Sequence, residues 1–380
     1  MRESGRAIPW VTVETLAPRT MSVATVGGEP RAFASLRRVL QRVLTRTPAV
    51  YDSITTRGVV DIVEAVRQQG TGMDRELPTS AGLHLVRARP VLGPTGGVHA
   101  VQLWIGPAGA VTPPPSAVGA VWDLDDQTVH QPMAMSALRG VSADEHVPTM
   151  SIAELFHRAA VFDRHGEVLD LLYDPGPGDK LQFDVAVAPR AGRAAGPLGR
   201  WRVAARSRER GAWLLIEDIS EQPAPPAWPT LEQVGLREAH RRAGTHLAVI
   251  QLEHTSISHW LTDPASWVRW EYLYRPVDVF HPDDRDRLVT VCDSIRAGET
   301  ADVTVRMLGY SGCYLPTWLR LYPYPGFSRS QLVIGELRLA DDCGEAESNR
   351  PGPCRLPEPL GYDEQLRRHI SGRGRLDRAS

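Results

Sequence analysis

Three stretches of this 380-residue chain end alike: Gln102-Leu-Trp-Ile-Gly106, Trp213-Leu-Leu-Ile-Glu217 and Gln331-Leu-Val-Ile-Gly335. Each is a short apolar run of strand type, preceded by another strand and a turn. Counting back 55 residues from Ile105, Ile216 and Ile334 reaches Val50, Val161 and Val279. These open Val50-Tyr51-Asp52, Val161-Phe162-Asp163 and Val279-Phe280-His281, so a valine, an aromatic and a polar residue start three ungapped blocks. The second and third blocks keep one offset of 118, which sets Asp184-Val-Ala-Val187 on Asp302-Val-Thr-Val305 and Arg202 on Arg320. Alternation of period two in those runs reads as strands with one buried face. A chain that repeats on this scale is built of similar units rather than one large core.

The linkers divide it in the same places. Gly106-Pro-Ala-Gly-Ala-Val-Thr-Pro-Pro-Pro115 follows the first block and Pro223-Ala-Pro-Pro-Ala-Trp-Pro229 the second. Proline fixes φ and removes a backbone donor, so such runs favour extended spacers. The expected modules are therefore residues 1–108, 117–221 and 231–342. The polar, Gly/Pro- and Arg-rich stretch 345–380 is expected to be a disordered tail.

The third module is the most legible. Leu247–Leu252 reads as its opening strand, and Asp263-Pro264 offers an N-cap and N1 proline for a short helix carrying Trp267, Trp270 and Tyr274. A longer helix starts at His281-Pro-Asp-Asp-Arg285, where the carboxylates complement the helix dipole. Leu288, Val291, Cys292 and Ile295 supply its apolar face. Strands follow near Asp302–Leu308, Tyr314–Tyr322 and Gln331–Leu339, with Gly309, Gly312 and Pro325-Gly326 as turn signals. This order resembles the PAS domain, and Val279-Phe-His-Pro-Asp-Asp-Arg-Asp-Arg-Leu288 is similar to the segment that opens the long helix in many PAS domains.

In the second module, Gly166 and the Pro175-Gly-Pro-Gly178 run are expected to shorten or break the corresponding helix, so a PAS or GAF-like variant fits equally. The first module shows a strand over Met21–Val26 and a helix with Phe33, Leu36, Leu40, Val43 and Leu44 on one face. A second helix carries Val59, Ile62, Val63 and Val66, and strands cover Leu83–Val91 and Val98–Ile105. Taken whole, the chain resembles actinobacterial triple sensor-domain proteins, in which such modules stand without an effector domain. The fold class this implies is α/β (α+β): three tandem PAS/GAF-like modules, each an antiparallel sheet with flanking helices.

No phosphate-binding loop, zinc motif, nucleophile elbow, kinase nucleotide box or GGDEF run is present, so no catalytic residues are assigned and no enzyme activity is expected. His281 reads as a helix cap rather than a haem or metal ligand, and Cys292 as a core residue rather than a flavin-adduct cysteine. No cofactor and no metal are expected. Trp267, Trp270, Tyr274, Tyr314 and Trp318 are the candidate lining of a small-molecule cavity. A formal net charge of −2 gives no bulk attraction for nucleic acid, and no apolar run has the length of about 20 residues that spans a bilayer. Four cysteines without a CxxC pair and the lack of a signal-peptide core suit the cytoplasm. The reading is a soluble cytoplasmic sensor or adaptor that binds a small ligand or a signalling protein and signals by association. The alternatives are an enzyme with a site in an inter-module cleft and a structural interaction scaffold.

Overall fold

The computed structural model describes residues 7–17, 20–45, 47–139, 142–162, 164–187, 199–222, 229–271, 273, 275–325 and 332–340. Alternation of apolar and polar residues produces the first antiparallel sheet, in the order β3-β2-β1-β6-β5-β4. Its strands are β1 (Ile8–Ala17), β2 (Thr20–Val26), β3 (Glu29–Ser35), β4 (Met73–Thr79), β5 (Gly82–Leu92) and β6 (Val98–Pro107). Helices α1 (Leu36–Leu44), α2 (Pro48–Tyr51) and α3 (Thr56–Gln69) lie between β3 and β4 in the chain. The Thr55 hydroxyl caps α3 by accepting the Gly58 N–H, and Gly70 ends it at φ +68°. Val59, Ile62, Val63 and Val66 form its buried stripe and share a core with Leu40, Leu44, Val13, Leu103 and Ile105. Phe33 does not join α1 as the sequence suggests. It sits in β3 at φ +61°, and the helix begins after Ser35.

The second sheet runs β10-β11-β12-β13-β7-β8-β9. Its strands are β7 (Ala117–Asp123), β8 (Thr128–His130), β9 (Thr149–Ser151), β10 (Ala159–Val161), β11 (Lys180–Val187), β12 (Gly199–Arg208) and β13 (Gly211–Asp218). Helix α4 (Ala134–Leu138) follows β8, α5 (Ile152–Arg158) follows β9 and α6 (His165–Tyr173) follows β10. Gly166 falls in the first turn of α6 and does not prevent it; the helix stops before Pro175. Burial of Val168, Leu169, Leu171 and Leu172 outweighs the propensity cost of one glycine, about 1 kcal/mol. The indole N–H of Trp122 donates to the Leu172 carbonyl at 3.0 Å, which satisfies one of the helix's last acceptors.

The third sheet, β15-β14-β18-β17-β16, contains β14 (His246–Gln251), β15 (Ser256–Trp260), β16 (Ala301–Leu308), β17 (Tyr314–Pro323) and β18 (Leu332–Leu339). Helix α7 (Leu231–Ala243) precedes it, opened by a capping box between Thr230 and Gln233. The expected long helix forms as α8 (Pro282–Thr290) and α9 (Cys292–Arg296), separated at Val291. His281 caps α8: its Nδ1 accepts the Asp283 N–H at 3.2 Å. Leu288, Cys292 and Ile295 are buried with Phe280, and Asp286 is exposed. No helix starts at Asp263-Pro264. The Val268 N–H bonds Ala265 in a turn and the Arg269 N–H goes to the Leu308 carbonyl, so tertiary hydrogen bonds replace the helical ladder.

All three sheets share a sub-order: β2-β1-β6-β5-β4, β8-β7-β13-β12-β11 and β15-β14-β18-β17-β16. Each closing strand lies between the opening strand and its own predecessor, as the repeated endings imply. Val50 lies in α2, Val161 ends β10 and Val279 precedes α8, each ahead of the module's longer helix. The ungapped match fails between the first and second blocks, where the paired Asp and Arg are 13 residues apart in one and 18 in the other, and again at the third closing strand. Ile105 joins the first module's helix-side core, whereas Ile334 is half-buried and Val333 and Leu337 take the helix side. A single extra residue between β17 and β18 shifts the closing strand, and a one-residue shift exchanges its faces. Ile334 therefore corresponds to Leu215, not to Ile216.

The chain divides into two compact units. One comprises Met1–Leu124, Val129–Thr149 and Arg158–Ala227, and so contains the first module and most of the second. The other comprises Asp125–Thr128, Met150–His157 and Trp228–Ser380. Ala153 of α5 belongs to the third module's apolar core. The expected tail, 345–380, lies outside the described residues. Among the described residues no helix is long and apolar enough to cross a membrane.

Candidate functional site

On the side of each sheet turned away from its own helices, one aspartate faces one arginine across neighbouring strands. Asp74 of β4 pairs with Arg87 of β5, Asp184 of β11 with Arg202 of β12, and Asp302 of β16 with Arg320 of β17. All three are forked contacts in which Nε and Nη2 donate to the two carboxylate oxygens. The distances are 3.2 and 2.9 Å, 2.7 and 2.8 Å, and 2.8 and 3.1 Å. In the second and third modules a glutamate completes the row on the closing strand: Arg202 stands opposite Glu217, and Arg320 opposite Glu336. In the first module Trp104 takes that place.

The second module uses its row to hold the first. Glu217 Oε1 accepts the hydroxyls of Thr12 at 2.6 Å and Thr25 at 2.9 Å, and Arg202 Nη1 donates to the Gly28 carbonyl. Arg206 reaches across to Glu14, whose second oxygen accepts the Leu16 N–H at 3.0 Å. Between these polar contacts lies a small apolar patch of Leu16, Ala24, Val91, Ala100, Ala204 and Leu215, with Phe33 packed against it. The Arg206 guanidinium lies 4.8 Å over the Phe33 ring, which explains why Phe33 is spent on this seam rather than on a helix face. Burial pushes the Glu217 carboxyl above its usual range, against the two threonine hydrogen bonds that favour the anion.

In the third module the same row is open. The Arg320 side chain is 44% exposed, whereas that of Arg202 is 5% exposed. Two guanidiniums approach the Trp318 ring, Arg320 at 5.0 Å and Arg338 at 5.3 Å from its centroid. The Tyr322 hydroxyl donates to Glu336 Oε2 at 2.9 Å. The hydrogen bonds from Arg320 hold the Asp302 carboxyl below the usual carboxylate range. The face thus sets arginines and aromatic surface, residue types enriched at association surfaces, beside two carboxylates.

Of the four described aromatics expected to line a cavity, Trp267 and Trp270 belong to the third core and Trp318 does not. Trp270 is buried in the core beside Trp260, with centroids 6.1 Å apart. The Trp267 indole N–H donates to Thr317 Oγ1 at 3.2 Å, and the Tyr314 hydroxyl donates to the Asp278 carbonyl at 3.0 Å. Trp318 follows Thr317 in the strand and so points to the opposite face. Tyr274 lies outside the described residues. Asp302, Arg320, Glu336 and Arg338 are the residues that sequence reasoning misses. The shared offset of the two blocks aligns Asp184 with Asp302 and Arg202 with Arg320. The inserted residue conceals that Glu217 and Glu336 correspond.

Residues 9–115 match the family model described as Rv3651-like, N-terminal. No curated protein matches the chain. A crystal structure of a Mycobacterium tuberculosis protein aligns with 88% of this chain and 97% of that chain, at 20% identity and a TM-score of 0.69. At that identity the likeness is one of fold. An RNA-binding light-oxygen-voltage receptor aligns with 69% of this chain and 99% of that chain, at 11% identity and a TM-score of 0.22, too low to carry an argument.

Proposed function

We propose that the chain is a sensory or adaptor protein of tandem PAS/GAF-like modules, and that it acts by association rather than by catalysis. Its third module docks a protein through the outer face of β16, β17 and β18. The observation that carries this reading is the repeated row. Asp184-Arg202-Glu217 grips the neighbouring module, and Asp302-Arg320-Glu336 presents the same groups, in the same cross-strand register, to solvent. A surface ion pair contributes little to stability, about 0–1 kcal/mol, so stability alone gives a weak reason for keeping the exposed copy. Trp318 with its two neighbouring arginines adds the aromatic and guanidinium groups that dominate binding energy at protein interfaces. The strand, helix and three-strand order that resembles the PAS domain supports the sensor part of the reading. The test is a photo-crosslinking side chain at position 338, in cells that naturally make the protein. A discrete protein adduct that disappears with Trp318→Ala is expected; an adduct pattern indifferent to Trp318→Ala would remove the docking face.

A further inference from the structure

The outer face of β17 and β18 carries three directly opposed pairs: Trp318 with Arg338, Arg320 with Glu336, and Tyr322 with Ile334. Each pair joins chemistries that attract: a ring with a guanidinium, a cation with an anion, and an aromatic with an aliphatic. A two-fold axis parallel to these strands, midway between them and above the sheet, would carry β17 of a second copy over β18 of the first. Register is preserved under that operation. Arg320 of each copy then faces Glu336 of the other, Trp318 faces Arg338, and Tyr322 faces Ile334. We infer from this self-complementarity that the occupant of the face is a second copy of this chain, joined to the first by isologous packing of the two third sheets. This rests on the docking reading above and names its partner.

Two comparisons within the chain favour a second copy over a surface like that of the first module. The row in the second module meets two threonine hydroxyls and a carbonyl, and its neighbour on the strand is Ala204, which packs in one small patch with Ala24 and Ala100 of the first sheet. The residue at the same offset in the third module is Tyr322, whose ring would hold such a surface away. The face is also balanced in charge, with Asp302 and Glu336 against Arg320 and Arg338. It therefore attracts neither a strongly acidic nor a strongly basic partner, and it matches itself.

The experiment uses full chains and native mass spectrometry, with sedimentation equilibrium for affinity. Wild type is expected to dimerise, and Arg320→Glu and Glu336→Arg are each expected to weaken the homodimer at least about tenfold. When the two variants are mixed, the R320E chain presents two carboxylates to the two guanidiniums of the E336R chain. Both contacts are restored, and a 1:1 heterodimer is expected to dominate. Arg338→Glu is the second variant, since the contact described for its side chain is the Trp318 ring, and it should weaken dimerisation without altering the near-UV circular dichroism. A wild-type chain that stays monomeric, or variants that dimerise as well alone as mixed, overturns the inference. In either case a crosslinked adduct with a different protein at position 338 leaves the docking reading standing, and its absence removes both.

Discussion

Gly119→Ala should loosen the seam between the first two sheets. His99 of β6 lies in a slot whose walls are Gly119 of β7 and Gly93 after β5. A Cβ on Gly119 would stand 2.5 Å from His99 Cγ, 2.6 Å from Nδ1 and 2.9 Å from the Gly93 Cα. Carbon atoms prefer about 3.5–4.0 Å, so the overlap is about 1–1.5 Å. The ring cannot retreat, because a Cβ on Gly93 would also collide with it and the backbone there is already close. It must swing out and give up the hydrogen bond from Nδ1 to the Leu214 carbonyl, now 2.9 Å. Overpacking costs about 1–3 kcal/mol and an imidazole N–H left buried without a partner about 1–3 more, so about 2–6 kcal/mol is expected. The chain has two compact units and will not unfold in one step. Native-state hydrogen exchange of amides in β6, β7 and β13 is therefore the suitable assay, with β16 and β17 as internal controls. His99→Ala should relieve the clash, and the double variant should be at least about 1 kcal/mol more stable than the sum of the single costs predicts. A Gly119→Ala effect within about 0.5 kcal/mol, or strict additivity with His99→Ala, would refute the slot.

Phe280→Ala should cost about 3–5 kcal/mol through lost burial and the cavity left behind, read by exchange in the second unit, while exposed Asp286→Ala stays within about 0.5. Asp284 is buried at the start of α8 and accepts the Arg306 backbone N–H and guanidinium, both at 2.8 Å. Asp284→Ala should therefore cost about 1–3 kcal/mol by leaving the Arg306 backbone N–H without its acceptor, while the partly exposed guanidinium keeps Asp283 at 3.4 Å. Burial opposes ionisation of Asp284, but the Arg306 hydrogen bonds prevail and hold its carboxyl below the usual range. Its stabilising contribution is thus present above the ordinary carboxylate pKa and is lost as pH falls through the lowered value. Glu217 has the opposite sign. Its raised carboxyl contributes stability that is complete below the ordinary carboxylate pKa and is lost as pH rises through the folded value, with Arg202 favouring and Asp184 opposing the anion. Glu217→Gln should accordingly stabilise the β1–β13 seam at neutral pH and lose that advantage in acid, as checked by exchange in β1 and β13 at two pH values.

The helix-side faces are legible in the sequence because burial there is recorded in side-chain volume and period. Val59, Ile62, Val63 and Val66 announce α3, and Leu288, Cys292 and Ile295 announce the α8–α9 face, even though the ladder breaks at Val291. Short irregular segments are not legible. Trp267 and Trp270 have helical spacing, yet the backbone between them bonds to β16 and to a local turn, and no local pattern encodes a tertiary hydrogen bond. The same periodicity draws Phe33 towards α1, although its left-handed φ and its place over Arg206 belong to a different face.

The outer faces explain why the row escapes sequence reasoning, and they also bear on the candidate site. A strand face that meets another sheet through Arg202, Ala204 and Arg206 has the composition of a solvated face. Period-two alternation therefore reads the second and third sheets identically, although one outer face is sealed and the other open. The distinction lies in the residues between the charges. Ala204 leaves room for a close sheet, and two threonine hydroxyls of the facing sheet hydrogen-bond the Glu217 carboxyl. Tyr322 takes the equivalent place in the third sheet and donates to Glu336 from within its own strand pair, while Trp318 stacks on Arg320 and Arg338. A face built this way supports its own charges until something covers it. Desolvating Arg320 and Glu336 together is favourable only if the incoming surface returns an anion to one and a cation to the other. Directly opposed pairs on adjacent antiparallel strands supply that arrangement when the face meets itself.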